Sequence, residues 1–565
     1  MTAPPQDPGA SGAPEASDQV AGFTDRLAAA LTLTIGGQAH VIPGGSVKDL
    51  QLDLRSYGFT GSLSFVVQDD AAHGGSFTDA LLAEFLKPDL IELSLELSAV
   101  LVSPEAGELT PISLAGLVTD KAVSEVLFRQ LSDLPVLIRR YRVSFADPAQ
   151  VLWAQHFPCQ LYTNKSMVDV INDHLGDKLT VTYDFSALSE SQRMVFLHLP
   201  RAAGVSFWDF VSWYLDERAG VLSYDYAAAS YLIAATKSEA GTPIKLFGDD
   251  LERAELCLPA VPRYAPVVLN SNADAARSEP VTQAQAATGI RSDVLLRTPI
   301  AQDVDDQVAL QRKLTVVPST QAHLWFARMP GNTLVPGALV ELPAANRWSS
   351  ESALVGVTWR VRGLQLRASA PSTAHDRDLQ LPSTGYRVEV RAQLEAKAEA
   401  QVERPAFRRP VYPGLVEGKV VSEQGQDGEK TYQVNRDADT SLDEYHVKVP
   451  LWDNQVVSAP HEPILGSGNL YLPSYRDERV LLALEVHSAE IARLLEWRAG
   501  APLSMDVQGQ HLLFGKSDDS QTSVNHVYDG DKPVFNVARK NQSDTALIQL
   551  KEGTLFLQVK EQEQG

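Results

Sequence analysis

At 565 residues the chain has room for roughly three to four domains of about 150 residues each. Its 44% apolar and 21% charged content are those of an ordinary globular protein able to bury cores. With 71 acidic against 49 basic residues the formal net charge is −22, which argues against binding nucleic acid or anionic lipid, and two cysteines, Cys159 and Cys257, are too few for a disulfide framework and point to a reducing compartment.

Residues 1–22 form a Pro/Ala/Gly/Ser-rich tail with neither a basic n-region nor an apolar h-region. Disorder and cytoplasmic synthesis without a secretory signal are expected there. No run approaches the about 18 apolar residues of a membrane helix. From 23 to 150 the pattern is mainly strands: 31–35, 47–54, 61–67, 91–97, 112–121 and 136–145 alternate with period two, and a helix is predicted over 78–86. Between 151 and 240 lie two signed helices. Ser166 with Asp169, and Ser206 with Asp209, fit capping boxes, each followed by an apolar stripe and a stopping glycine, Gly176 or Gly220. Strands are predicted at 179–183, 222–226 and 231–234.

From 241 to 390 the β pattern returns at 314–317, 339–342 and 354–361, with 271–292 read as a mobile loop. Residues 391–403 favour helix but lack an apolar face, so they read as a spacer or exposed helix. The stretch 412–497 then reads as a small antiparallel barrel. Its alternating segments 414–422 and 445–449 and the run 468–484 are punctuated by Gly425, Asp427, Gly428 and Pro473. Residues 504–565 give short strands at 512–514, 534–538, 546–550 and 555–559, with too few large apolar groups to bury a core alone. Such strands require another chain beside them, in an intertwined oligomer or a β-helical rod.

The search for chemistry is thin. His156 and Cys159 lie three apart with nothing nearby to complete a zinc site, so a packed pair is favoured. His461–Glu462 lacks the second histidine of H-E-x-x-H, and no G-x-S-x-G, P-loop or G-x-G-x-x-G pattern is present. The acidic run 249–255 reads as a solvated helical face, and Asp477–Glu478 as turn and strand-start chemistry. The predicted catalytic, cofactor and metal sites are therefore none.

Four segments, in order, resemble the VgrG-type spike of contractile injection systems, which corresponds to a contractile-phage baseplate hub fused to its tail spike. Residues 141–175 are similar to a strand leading into the family's "N-x-S/T-x-x-D-I-I" helix, here Asn164, Ser166 and Asp169. Residues 205–226 resemble its helix followed by "E-x-G-I-x-Y-x-F", and 331–342 its "L-x-P-G-x-x-F-x-L" strand entry. In 468–484, Pro473, Asp477, Glu478 and Val480 are in register with its barrel strand, although Arg476 stands where the family usually has glycine. The loop 437–444 is longer than in a minimal barrel. Together these cover about 31 to 500; the remainder fits by position.

The resemblance implies a mainly β fold with α+β portions: a first hub β-barrel domain (23–150), an intervening α/β hub region (151–240), a second hub β-barrel domain (241–390), a linker (391–411), an OB-like β-barrel neck (412–503) and a C-terminal intertwined trimeric β-helical needle (504–565). It implies a non-enzymatic homotrimer joining a hexameric inner tube and baseplate proteins to a membrane-puncturing needle, with a PAAR-type tip protein and effector cargo as further partners and no nucleic acid. Assembly would occur in the cytoplasm into the injection particle. In the phage relative a lysozyme domain is inserted between barrel and needle; the junction 499–506 is too short for one. A tail-borne cell-wall hydrolase and a glycan-binding tail module are the alternatives.

Overall fold

The computed structural model describes residues 24–101, 110–128, 136–332, 334–344, 348–371, 378–438, 440, 442–460, 473–495, 508–517 and 519–561. The tail 1–22, His461, Glu462, residues 468–472, Trp497 and the junction 499–506 lie outside these. No helix among the described residues is long and apolar enough to cross a membrane.

The first segment alternates as its sequence requires. Strands β1 (Asp25–Ile35) and β2 (Gln38–Ile42) form a hairpin through Gly36 and Gly37, whose φ of 55° and 81° suit glycine. They are followed by β3 (Val47–Arg55), β4 (Gly58–Asp69), β5 (Ile91–Ala99), β6 (Ile112–Phe128) and β7 (Val136–Ala146). Along β5, Ile91, Leu93, Leu95 and Leu97 are buried and the residues between them are exposed. The helix predicted over 78–86 shrinks to α1 (Leu82–Phe85), a single turn whose Phe85 ring meets Tyr141 edge-on at 4.8 Å.

Next come α2 (Pro148–Leu152), β8 (Cys159–Ser166), α3 (Met167–Asp173), β9 (Val181–Asp184), α4 (Ser186–Ser189), β10 (Ser191–His198), α5 (Phe207–Asp216), β11 (Val221–Asp225) and β12 (Ser230–Ala234). Both capping boxes form. The Ser166 hydroxyl accepts from Asp169 N–H at 3.1 Å while Asp169 accepts from Ser166 N–H at 2.9 Å, and Ser206 and Asp209 repeat the exchange at 3.2 and 2.8 Å. Asp147, fully buried, ties this region to the barrel. It caps α2 through Gln150 N–H at 3.1 Å, and accepts from Phe59 N–H at 3.0 Å and from the Tyr231 hydroxyl.

The third segment holds β13 (Ile244–Lys245), β14 (Leu251–Cys257), β15 (Ala265–Asn270), β16 (Arg277–Pro280), β17 (Arg291–Leu296), α6 (Ala301–Leu314), β18 (Gln321–Phe326), β19 (Leu339–Glu341), β20 (Thr358–Ser369) and β21 (Ser383–Ala396). Several expectations are corrected here. The loop read over 271–292 contains β16, and β15–β17 with α6 form a small unit around Val268, Val281, Val304 and Val308. Of the residues predicted as a strand at 314–317, Leu314 ends α6 and 315–317 form no strand; Val304 and Val308 supply the i, i+4 apolar pair that seats the helix. The 354–361 strand begins only at Thr358, and the acidic run 249–255 is β14 and the turn before it, not a helical face.

The two barrels expected over 23–150 and 241–390 are not successive units of the chain. Strand β20 pairs with both β3 and β21, so the path β20-β3-β4-β7-β6-β5-β1-β21 closes into a barrel. The same two long strands continue into an open half-barrel, β13-β19-β20-β21-β18-β14. One sheet thus serves both, and its two halves share one core cluster. Residues 391–396, read as helix, are the end of β21. The remainder of the linker runs extended over α5: Arg404 pairs with Asp216 at 3.1 Å, Arg408 N–H donates to Asp209 at 2.9 Å, and Arg55 and Arg362 both reach Glu403. Ion pairs to folded neighbours outweigh the helical propensity of an isolated run without an apolar face.

Strands β22 (Gly414–Val420), β23 (Asn435–Arg436), β24 (Asp443–Val449), β25 (Gln455–Pro460), β26 (Arg479–Leu484) and β27 (Ala489–Leu494) make one antiparallel sheet curled around Val420, Tyr445, Val447, Val457, Val480 and Leu482. Arg476 has a role that glycine could not fill. Its guanidinium donates to the carbonyls of Ser422, Gln424 and Gln426 at 2.7–2.8 Å, holding the 422–426 loop. Asp477 pairs with Lys448 at 2.7 Å and Glu478 accepts from Tyr475 N–H at 2.9 Å, which is turn and strand-start chemistry.

The last segment is a plain meander of five strands, β28 (Gln510–Ser517), β29 (Ser520–Asp529), β30 (Lys532–Asn541), β31 (Asp544–Lys551) and β32 (Thr554–Lys560). Within one chain it is a single layer. The register lines up Leu512, Val524, Val537, Ile548 and Leu557 across all five strands. Leu512, Ile548 and Leu557 are 47%, 45% and 66% exposed. The opposite face carries a ladder in which Asn536 donates to Asn525 at 2.8 Å and Gln549 to Asn536 at 3.0 Å.

Candidate functional interface

The place where hub and neck meet is built around one hairpin. Residues 194–197 (MVFL) are an unbroken apolar run, the pattern of a strand buried on both faces. In β10 alternate side chains serve two different cores. Met194 and Phe196, with Leu161 of β8, join the neck cluster, while Val195 and Leu197 join the hub cluster. All but Met194, which is 3% exposed, are fully buried. Because consecutive residues point to opposite faces, two cores share one backbone segment.

Polar contacts complete the seat. Phe196 N–H donates to the Val486 carbonyl at 2.9 Å, and the Tyr412 hydroxyl donates to the Phe196 carbonyl at 2.8 Å. His487, in the β26–β27 turn, lies 3.2 Å through Nδ1 from the Met194 carbonyl and 2.9 Å through Nε2 from the Tyr214 hydroxyl of α5. A carbonyl only accepts, so Nδ1 carries the proton and Nε2 accepts from the tyrosine. Burial holds the His487 pKa below the ordinary histidine value, which keeps the ring neutral as this pattern requires. Thr163 donates to Gln455 at 3.1 Å. Arg193 reaches Asp437 at 2.7 Å and Glu444 at 3.8 Å; hydrogen bonds from Thr440 and Arg193 bring the Asp437 pKa down to about 2.

Rings pave the remainder. Phe196 meets Trp452 at 5.7 Å and Tyr412 at 6.4 Å, and Tyr412 lies 6.4 Å from Trp213 of α5. Gly414 opens β22 against this surface; a β-carbon there would stand 2.6 Å from the Phe196 ring and 3.0 Å from that of His198. The chain therefore approaches closest where a side chain would prevent it.

Of the residues weighed for chemistry, His156 and Cys159 do not come together. His156 Nε2 instead lies 2.8 Å from His174 Nδ1, and His174 Nε2 lies 3.0 Å from the Tyr162 hydroxyl, with Cys159 exposed nearby. Burial, and then the neighbouring His156, push the His174 pKa down to about 4. His174 gave no signal beyond its place at a helix end. Among the described residues no group of three or more His, Cys, Asp or Glu side chains could hold a metal ion.

No family model matches the sequence, and no curated protein matches it. Solved structures do. A chain in the structure of a PdpA–VgrG complex, lidless, superposes with a TM-score of 0.71 at 13% identity, covering 96% of this chain and 99% of that one. In the Francisella PdpA–VgrG complex the half-lidded form gives 0.69 at 13% identity over 95% of this chain and 89% of that one, and the lidded form 0.70 at 13% over 95% and 80%. At that identity the likeness is one of fold, and at that level the resemblance to VgrG-type spikes is shown.

Proposed function

We propose that the chain is the hub and spike of a contractile injection machine, a non-enzymatic homotrimer that joins a hexameric inner tube and baseplate to a puncturing needle. The fold it shares with chains of PdpA–VgrG complexes supports this reading. The observation that carries it is the uncovered row Leu512–Val524–Val537–Ile548–Leu557. A single-layer sheet has no second layer to bury an apolar face, and each large apolar side chain gains about 1.5–3 kcal/mol on full burial. Three copies set face to face around an axis would bury all three rows and leave the Asn/Gln ladders in water. The wide hub, the doubly seated neck and the narrow sheet then form a column that passes thrust from ring to point.

Inner tube and baseplate proteins would bind the hub end, and a PAAR-type tip protein the far end of the needle. PdpA and VgrG form a complex of two different proteins, and by that likeness a second polypeptide belongs beside the copies of this chain, with effector cargo carried on the same column. Assembly takes place in the cytoplasm. Light scattering on the purified chain should give three times 61.5 kDa, falling to one in Val537→Asp/Ile548→Asp, which puts carboxylates in the centre of the row. A monomeric wild-type chain would refute the reading.

A further inference from the structure

Helix α5 rests on histidines at both ends. At its start, Phe207 N–H donates to the His156 carbonyl at 2.8 Å, and the Phe207 ring packs on the imidazoles of His156 and His174 with centroids 5.6 and 4.8 Å away. Near its end, the Tyr214 hydroxyl donates to His487 of the neck at 2.9 Å. Phe207, Phe210 and Tyr214 stack between the two sites at 6.0 and 5.8 Å, the i, i+3 and i+4 steps of one helix face. A displacement at either histidine site is therefore passed along a continuous column of rings.

Both sites are built for neutral rings. His156 Nε2 and His174 Nδ1 stand 2.8 Å apart, so one must donate and the other accept; with both rings protonated, two donors would face each other. At the seat, a protonated His487 would turn a second N–H on the Tyr214 hydroxyl, over whose ring the Arg218 guanidinium already lies at 3.6 Å from the centroid. Two cations would then flank one tyrosine. The surroundings supply no countercharge. Tyr162 and the exposed Cys159 of β8 and Phe207 of α5 face the hub pair, and Asp173, next to His174 in α3, is exposed. Around His487 stand the Met194 carbonyl of β10, Tyr214 and Arg218 of α5, and the exposed Glu485 of its own turn. Glu217, beside Arg218, is engaged by Trp213 at 3.2 Å and Arg409 at 3.5 Å. Burial lowers the pKa of all three histidines, and among the described residues no carboxylate offsets it. The Arg193–Asp437 pair of the same seat keeps its charge, since Asp437 titrates at about 2.

We propose that α5 is an acid-released latch: protons taken up by His156 and His174 in the hub and by His487 at the seat unseat the helix and free the neck sheet from the hub, while the closed barrel stays folded. All of these contacts lie within one chain, so the latch is independent of the oligomer argued above. Its sign follows from the neutral rings. Each folded pKa lies below the ordinary 6.5, so the latch is complete above that value and is lost as pH falls. For His174 alone, at 6.5 when released and about 4 in place, the open state gains about twentyfold between pH 7 and pH 5.

The test is hydrogen exchange of the full chain at pH 7 and pH 5, corrected for the intrinsic pH dependence of amide exchange. Amides of α5, β22 and β26 should lose protection by about twentyfold or more at pH 5, while β1 and β5 keep theirs. In His156→Gln/His174→Asn/His487→Gln the ratio of protection at the two pH values should fall to that of β1 and β5. The ratio is taken within each variant, so a loss of stability alone does not mimic the result. Arg218→Gln leaves every histidine in place and relieves the charge at the seat, so its ratio at β22 and β26 should shrink. Equal protection of the wild type at both pH values, an acid loss shared by β1 and β5, an acid loss that survives in the triple variant, or an unchanged ratio in Arg218→Gln overturns the latch.

Discussion

Adjacent residues in β10 should fail in different places. Phe196 is fully buried among Tyr412, Trp452 and the neck core, and Leu197 is fully buried in the hub core. Phe→Ala in a packed core costs about 3–5 kcal/mol and Leu→Ala about 2–5 kcal/mol. At about 1.4 kcal/mol per decade, Phe196→Ala should raise the open population of the junction by roughly two to three and a half orders of magnitude. Hydrogen exchange locates the loss. Phe196→Ala should strip protection from β22 and β26 while β1 and β5 keep theirs, since local openings follow cooperative units. Leu197→Ala should do the reverse, loosening the hub strands first. If both variants lose protection in the same strands, β10 does not divide its side chains between two cores.

Gly414→Ala places a methyl 2.6 Å from the Phe196 ring; a loss of about 1–3 kcal/mol is expected from overpacking, read as a lower urea midpoint with unchanged slope. His174 gives a pH dependence whose sign is set by its depressed pKa. The native state favours the neutral ring, so its contribution is complete above the ordinary value of 6.5 and is lost as pH falls toward about 4. Thermal midpoints measured from pH 7 to 4 should fall less steeply in His174→Asn than in the wild type, and equal slopes would count against the assignment. Arg476→Gly removes three hydrogen bonds to the 422–426 loop; amides there should exchange faster while the neck core is unchanged.

What could be read from the chain was local. The capping boxes at Ser166 and Ser206 formed because Ser-x-x-Asp satisfies helix N–H groups within four residues, whatever lies beyond. The period-two runs of β3 and β5 became strands with the expected face inward. The strands after residue 504 have few large apolar groups, and Leu512, Ile548 and Leu557 of their apolar row are exposed within one chain. The readings that failed were those where local preference and environment disagree. Residues 391–396 favour helix in isolation but extend β21, because pairing with β18 and β20 satisfies every ladder position. The unit at 265–314 was missed because its core is only four valines.

The seat lies on β8 and β10, two strands absent from those predicted between 151 and 240. The run Met194–Val195–Phe196–Leu197 marks a strand buried on both sides, yet nothing in its composition says that the two sides belong to different bodies. His487 and Gly414 carried no signal at all, since each matters only through a residue more than two hundred positions away. Periodicity and caps therefore determined that this is a mainly β protein with short helices between its strands, since those properties arise within a few residues of chain. That the closed barrel and the half-barrel share β20 and β21, and that β10 serves two cores, depend on long-range register. Only the folded arrangement sets that register, because pairing partners are chosen by the cores they bury.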